Sequence, residues 1–207
     1  MITQTKNQLR RLLPKNAFAR GVSVLVGGTA SAQILLVLAA PILTRFYTPE
    51  DFGLLAVYAS LLALISVVSS LRYELAIPLP EGDVEAANVA LLSLLLVVIS
   101  TVLTALLVLI LGIAIAEFLD VPVLANYLWL LPVGVLLSGA YTVFNYWSVR
   151  TKRFSTIART RLTQVIATLA IQLATFKFGV LGFLLGQVAG QSVGTGSLAR
   201  PALAAPA

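Results

Sequence analysis

Apolar residues fill six runs of the chain, near residues 21–44, 53–71, 87–115, 123–147, 157–176 and 179–198, and polar residues collect between them. A helix needs about 20 apolar residues to cross a hydrocarbon core of about 30 Å, so each run is long enough for one membrane span. The third run carries no charge between Glu85 and Glu117. At about 1.5 Å per residue it makes a helix of about 46 Å, too short for two spans and a turn, so the pattern predicts one long or tilted helix. In the fourth run Pro132 predicts a kink, and Tyr127, Trp129, Tyr146 and Trp147 bracket the span at both interfaces. Only Lys177 and a few neighbours around Gly179 separate the last two runs. The expected protein is an all-α integral membrane protein: a bundle of about six transmembrane helices over 21–198, a basic segment over 1–20 and a Pro/Ala-rich tail over 199–207.

Polar residues inside the runs are costly unless they face a partner helix or water, so their angular positions carry information. In the fifth run Arg161, Gln164, Thr168, Gln172 and Thr175 fall within an arc of about 80°. Such a stripe either hydrogen-bonds to neighbouring helices or lines a hydrated cavity, and Arg161 favours the cavity because a guanidinium is harder to bury dry than an amide. The fourth run has a similar stripe of Ser138, Tyr141, Thr142 and Asn145, and the first has Thr29, Gln33 and Thr44 with Arg45 at its end. The third run, almost all Leu, Val, Ile and Ala, reads as lipid-facing. In the sixth run Gly182, Gly186, Gly190 and Gly194 recur at every fourth residue. This spacing makes a flat groove for close helix packing, with Gln187 and Gln191 beside it.

Composition agrees with a lipid solvent. The chain is 59% hydrophobic and 11% charged, with a mean hydropathy of +0.98, whereas a hydrated surface needs about 25% charged residues. The net charge of +6 does not point to nucleic acid, because no hydrated basic patch accompanies it. It is a topology signal. A cytoplasmic N-terminus puts Lys6, Arg10, Arg11, Lys15, Arg20, Arg72, Arg150, Lys152, Arg153, Arg159, Arg161 and Arg200 inside and leaves only Arg45 and Lys177 outside. Both termini then face the cytoplasm. A cleaved leader is the weaker reading, since the first apolar run exceeds a signal peptide's core and further spans follow.

Residues for covalent chemistry are missing. There is no Cys and no His, so thiolate and imidazole metal sites and the commonest general base are absent. Glu50, Asp51, Glu74, Glu81, Asp83, Glu85, Glu117 and Asp120 all fall in or beside the expected loops. The expectation is a membrane protein that is not an enzyme, holds no metal or cofactor, and has no buried acid for proton coupling. A membrane-embedded glycan polymerase or acyltransferase would need a catalytic base that the sequence does not offer.

The stretch from Gly21 to Pro80, ending in ILTRFYTPEDFGLLAVYASLLALISVVSSLRYELAIPLP, resembles the N-terminal part of oligosaccharide flippases, the O-antigen or Wzx-type polysaccharide biosynthesis proteins. These share a superfamily with multidrug exporters and the lipid II flippase. The segment LWLLPVGVLLSGAYTVFNYWSVRTKRFSTIARTRLTQ is similar to the matching region of that family, so the likeness runs from about residue 15 to about 195. TRFYTPEDFG and RYELAIPLP are its specific parts, and the apolar spans are not.

The resemblance implies one half of a two-bundle, alternating-access transporter. It would move undecaprenyl-pyrophosphate-linked oligosaccharide across the bacterial inner membrane for surface polysaccharide (lipopolysaccharide O-antigen) synthesis. On that reading Arg45, Arg72 and Arg161 are candidates for the pyrophosphate, since guanidinium pairs well with phosphate oxygens. Gln33, Tyr141, Asn145, Gln164, Thr168 and Gln172 support them along the cavity. The structural alternatives are an Arg72–Glu74 salt bridge and pairing of Arg45 with Glu50 or Asp51. Expected partners are membrane lipids, the lipid-linked oligosaccharide, and a second copy or a chain supplying the C-terminal half. The sequence departs from the family after six spans, where SVGTGSLARPALAAPA replaces the second bundle. The alternatives are therefore an inactive truncated fragment, or a drug or ion exporter of the same superfamily.

Overall fold

The computed structural model describes residues 17–203, and among these it contains helices and no strands. Lys6, Arg10, Arg11 and Lys15 of the expected basic segment lie outside the described residues. Six helices follow one another: α1 (Ala17–Phe46), α2 (Pro49–Val68), α3 (Asp83–Phe118), α4 (Leu130–Arg150), α5 (Phe154–Ala174) and α6 (Val180–Leu203). Residues Gly21–Phe46 of α1, together with α2 and α3, are long and apolar enough to cross a membrane by length and composition. Helices α4, α5 and α6 have 21, 21 and 24 residues, enough for a core of about 30 Å at about 1.5 Å per residue. They are less apolar because their faces meet other helices, not lipid.

Several boundaries differ from the expected ones. The charge-free third run is a single helix, as its length requires. The second span starts earlier and stops at Val68, with a short 3-10 turn at Tyr73–Ala76 after it. Thr48 caps α2: its hydroxyl accepts from the Asp51 amide at 3.3 Å, and the Asp51 carboxylate accepts from the Thr48 amide at 2.9 Å. In the fourth run Pro122–Asn126 forms a 3-10 turn, and the helix begins only at Leu130. Pro132 therefore lies in the first turn, where its missing N–H breaks no ladder bond, and the expected kink loses its cause. Pro41 is the interior proline instead, in α1. Helix α6 runs on to Leu203, past the expected start of the tail at 199, in a stretch rich in the strong helix formers Ala and Leu.

The helices pack in the order α1, α5, α6, α4, α3, with α2 lying across α4 and α6. The α5–α6 pair is the most intimate. A Cβ on Gly182 would strike the Thr175 carbonyl, one on Gly186 the Gln172 side chain, and one on Gly190 the Thr168 hydroxyl. On Gly194 it would lie 3.1 Å from Gln164 Cδ. The four glycines of α6 thus receive four polar residues of α5 in turn. A second close approach joins α1 to α5, where a Cβ on Gly28 would lie 3.0 Å from the Ala158 Cα.

The α2–α3 connection is not a surface loop. The Ser100 hydroxyl of α3 donates to the Ser69 carbonyl at 2.7 Å, and Ile77 is fully buried with Val97 and Val143. Residues 69–80 therefore run back between α3 and α4, past Gly139 and down to Arg150, a descent of about 16 Å at about 1.5 Å per residue of α4. Two adjacent residues with left-handed backbone, Leu71 (φ 49°) and Arg72 (φ 64°), turn the chain into this path. Its far end is held by Arg150. That guanidinium donates to the Pro80 carbonyl, to those of Glu81 (3.3 Å) and Gly82 (3.2 Å), and to the Asp83 carboxylate at 2.9 Å.

Glu74, expected beside a loop, is only 4% exposed, and the Ser70 hydroxyl donates to its Oε2. A buried acid is present after all, because the connection that carries it folds into the bundle.

The seam can be tested by adding single methyl groups. Gly182→Ala and Gly190→Ala should each lower stability by about 1–3 kcal/mol through overpacking, measured by thermal unfolding in detergent. Gly196→Ala, which meets nothing within 4 Å, should leave stability unchanged or raise it by up to about 1 kcal/mol through helix propensity.

Candidate functional site

The α5 stripe divides into a part whose polar groups are bonded within the seam and a part that leaves polar groups unbonded. Toward the end of the bundle that carries Arg45 and Lys177, its groups are already bonded. Thr175 Oγ1 donates to the Ile171 carbonyl (2.6 Å) and the Gly182 carbonyl (3.2 Å), and Gln172 Nε2 donates to the Phe183 carbonyl at 3.2 Å. Thr168 Oγ1 donates to the Gln164 carbonyl at 3.0 Å and sits against Gly190. Thr168 and Gln172 are buried in the α5–α6 seam, so of the two readings of the stripe they take the packing one rather than lining a cavity.

The same end is closed by aromatic rings. Tyr47 stacks on Phe183 at 4.2 Å, Phe52 meets the Phe183 edge at 4.9 Å, and Phe46 lies 4.9 Å from Phe176. The Tyr47 hydroxyl donates to the Gln172 carbonyl at 2.7 Å, and burial pushes its pKa up, which keeps it a donor.

Toward the other end the seam runs out. The Cβ position of Gly194 lies 3.1 Å from Gln164 Cδ and 3.3 Å from Tyr141 Cδ2, so α4, α5 and α6 converge there. Thr195, next on α6, donates to the Leu137 carbonyl of α4 at 2.9 Å. Around this junction three buried side-chain oxygens lack a hydrogen-bond partner: the Tyr141 hydroxyl, Asn145 Oδ1 one turn further along α4, and Gln191 Oε1 one turn before Gly194. Arg161 lies over the Tyr141 ring, its guanidinium carbon 5.2 Å from the centroid. It is exposed and has no carboxylate partner among the described residues. A cation thus stands beside a phenol and two amide oxygens whose bonding capacity is unused.

Four of the expected site residues, Tyr141, Asn145, Arg161 and Gln164, come together here. Gln33 flanks the junction without joining it: it is exposed on α1, two turns beyond Leu25, which packs against Tyr141, Ile157 and Leu198. Arg45 is exposed at the far end of the bundle, and Arg72 on the left-handed turn. Neither makes the salt bridge weighed as its structural alternative, with Glu50 or Asp51 for Arg45 and Glu74 for Arg72: among the described residues the ion pair found is Arg150–Asp83, Asp51 is engaged in the α2 cap, and Glu74 is bonded to Ser70. Gln191 is the addition, signalled in the sequence only by its place beside the glycine line. Arg150 looked like a topology charge, and nothing in its local sequence announces the clamp it makes.

The junction suits a ligand that brings hydrogen-bond donors for the amide oxygens and an anion for Arg161. Among the described residues no group of three or more His, Cys, Asp or Glu could hold a metal. A family model described as polysaccharide biosynthesis protein matches residues 42–199. No curated protein and no solved structure matches the chain.

The unused phenol makes a sharp test. Removing a buried hydroxyl that has no partner relieves its desolvation cost, so Tyr141→Phe should raise the stability of the unliganded protein by about 1 kcal/mol. A loss of stability in thermal unfolding would mean that the hydroxyl is bonded within the fold.

Proposed function

Because the chain belongs to the family of polysaccharide biosynthesis proteins, we propose that it forms one bundle of an exporter for lipid-linked oligosaccharide in the bacterial inner membrane. The observation that carries this reading is the junction of Tyr141, Asn145, Arg161 and Gln191, where a guanidinium adjoins three buried oxygens without partners. A phosphate or pyrophosphate answers the guanidinium, and sugar hydroxyl or acetamido donors answer the amide oxygens. The lipid chain stays in the bilayer. A groove of about 190 Å³ between α3 and α4, lined by Ala87, Ala90, Leu94, Phe144 and Trp147 among others, offers it an apolar surface.

The aromatic cluster separates the junction from the Arg45 end, and the junction lies toward the end that bears Arg150, Lys152 and Arg153. We assign that basic end to the cytoplasm, where lipid-linked precursors are assembled. Helix α1 covers the site on one side only, so an enclosed path needs a facing wall from a second copy or another chain.

Arg161→Ala removes a charge-assisted bond of about 1.5–3 kcal/mol and should weaken binding of a fluorescent lipid-linked oligosaccharide in nanodiscs about 10- to 100-fold. Arg161→Lys should fall between, because an ammonium lacks the bidentate fork. Arg159→Ala should bind as the parent does. Wild-type affinity in Arg161→Ala would sink the site. In liposomes the chain alone should not translocate the lipid, and translocation sensitive to Arg161→Ala would show that one chain suffices.

A further inference from the structure

Ala87, Leu91 and Leu94, on successive turns of α3, face Val143 and Trp147 of α4 across the groove of about 190 Å³. That volume exceeds the roughly 150 Å³ of an apolar cavity that takes up benzene, and water finds no hydrogen-bond partners among such side chains. Leu91 is 58% exposed, so the groove opens on the apolar face of α3, a helix long and apolar enough to cross a membrane. Its natural filling is therefore a hydrocarbon chain from the bilayer. Leu94, Val143 and Trp147 also belong to the cluster around Ile77, so a chain in the groove shares its walls with the connection 69–80.

Charge marks the lower end of the groove. Asp83 lies one turn before Ala87 on the same face of α3, and Arg150 one turn after Trp147 on that of α4, at about 3.6 residues per turn. Their ion pair at 2.9 Å joins the two walls there. The partners are unequally accessible. Arg150 is 12% exposed and also donates to the Pro80, Glu81 and Gly82 carbonyls, whereas Asp83 is 82% exposed. Glu81 and Glu85 are exposed beside it. The mouth thus offers headgroups a carboxylate, and Lys152, exposed two residues beyond Arg150, offers a cation. An ammonium and a phosphate on one molecule answer both.

Lipid chains are as apolar as the groove, so the chain alone confers no preference between lipids, and the headgroup has to supply it. We propose that the α3–α4 groove and Asp83 form a binding site for a phospholipid with a primary ammonium headgroup, such as phosphatidylethanolamine. One acyl chain lies in the groove, and the ammonium donates to Asp83. A choline headgroup has no N–H to donate, and a glycerol headgroup brings only negative charge to the carboxylates. The exported lipid's chain enters the groove as a competitor. The site does not involve Arg161 and stands whether or not the protein exports oligosaccharide.

The chain has two tryptophans: Trp147 lines the groove, and Trp129, 57% exposed, precedes α4 at its far end. In Trp129→Phe the fluorescence of Trp147 therefore reports on the groove. In phosphatidylcholine nanodiscs, a small fraction of phosphatidylethanolamine with brominated chains should quench Trp147 about 2- to 5-fold more effectively than equally brominated phosphatidylcholine or phosphatidylglycerol, the range of one exposed ion pair. Asp83→Asn, which leaves the carbonyl bonds of Arg150, should make the three lipids equal, and Asp83→Glu should restore the preference. Ala87→Phe, a filler at an exposed lining position, should reduce quenching by all three. Trp129, read in Trp147→Phe, should show no preference. Arg161→Ala should keep the preference, so its loss of oligosaccharide-lipid binding is a separate result. Equal quenching of Trp147 by the three lipids before any groove or Asp83 substitution, or a preference that survives Asp83→Asn, would overturn the proposal.

Discussion

Everything else in this bundle hangs on the seam between α5 and α6. Helices in lipid gain nothing from burying apolar surface against each other, so close backbone approach must supply the attraction. Four glycines at every fourth residue of α6 give up their side chains, and Thr175, Gln172, Thr168 and Gln164 of α5 fill the space. With the seam made, α5 can carry α1 on its other face and α6 can carry α4. The polar groups in the seam bond to backbone of their own or the facing helix, which makes a polar stripe compatible with dry packing.

The candidate site is where this arrangement ends. At Gly194 the neighbour across the groove is no longer α5 backbone but the ends of the Gln164 and Tyr141 side chains. At that point the Tyr141 side chain of α4 enters the groove, the helices no longer match glycine for side chain, and the hydrogen-bonding capacity of Tyr141, Asn145 and Gln191 is left over. A tight seam and an unsatisfied junction are two ends of one groove.

How much of this was legible in the sequence depends on the range of the interaction. Hydrophobic run length identified six helices and the undivided Asp83–Phe118 helix, because span length is a local property. The glycine spacing announced a groove for the same reason. Periodicity put Gln164, Thr168 and Gln172 on one face, but it does not say which helix that face meets, so the dry residues could not be told from the open ones. Glu74 defeated the reading more completely. Polar and aromatic residues around a short break look like a loop, and only the packing of Ile77 against α3 and α4 turns that loop inward. Pro132 misled because a proline's effect depends on its distance from the helix start, and the 3-10 turn before Leu130 moved that start.

The chain order of the packing partners bears on how the bundle is made. Helices α5 and α6 are joined by a few residues around Phe176–Phe178 and can pair as soon as both have left the ribosome. Helix α1 finds its main partner only in α5, and the bond from Tyr47 to Gln172 joins residues 125 positions apart. The first helix therefore meets its main partner only after three more helices have been synthesised. Its late docking makes α1 the element whose insertion and placement are most open to interference by chaperones, by truncation, or by a competing helix.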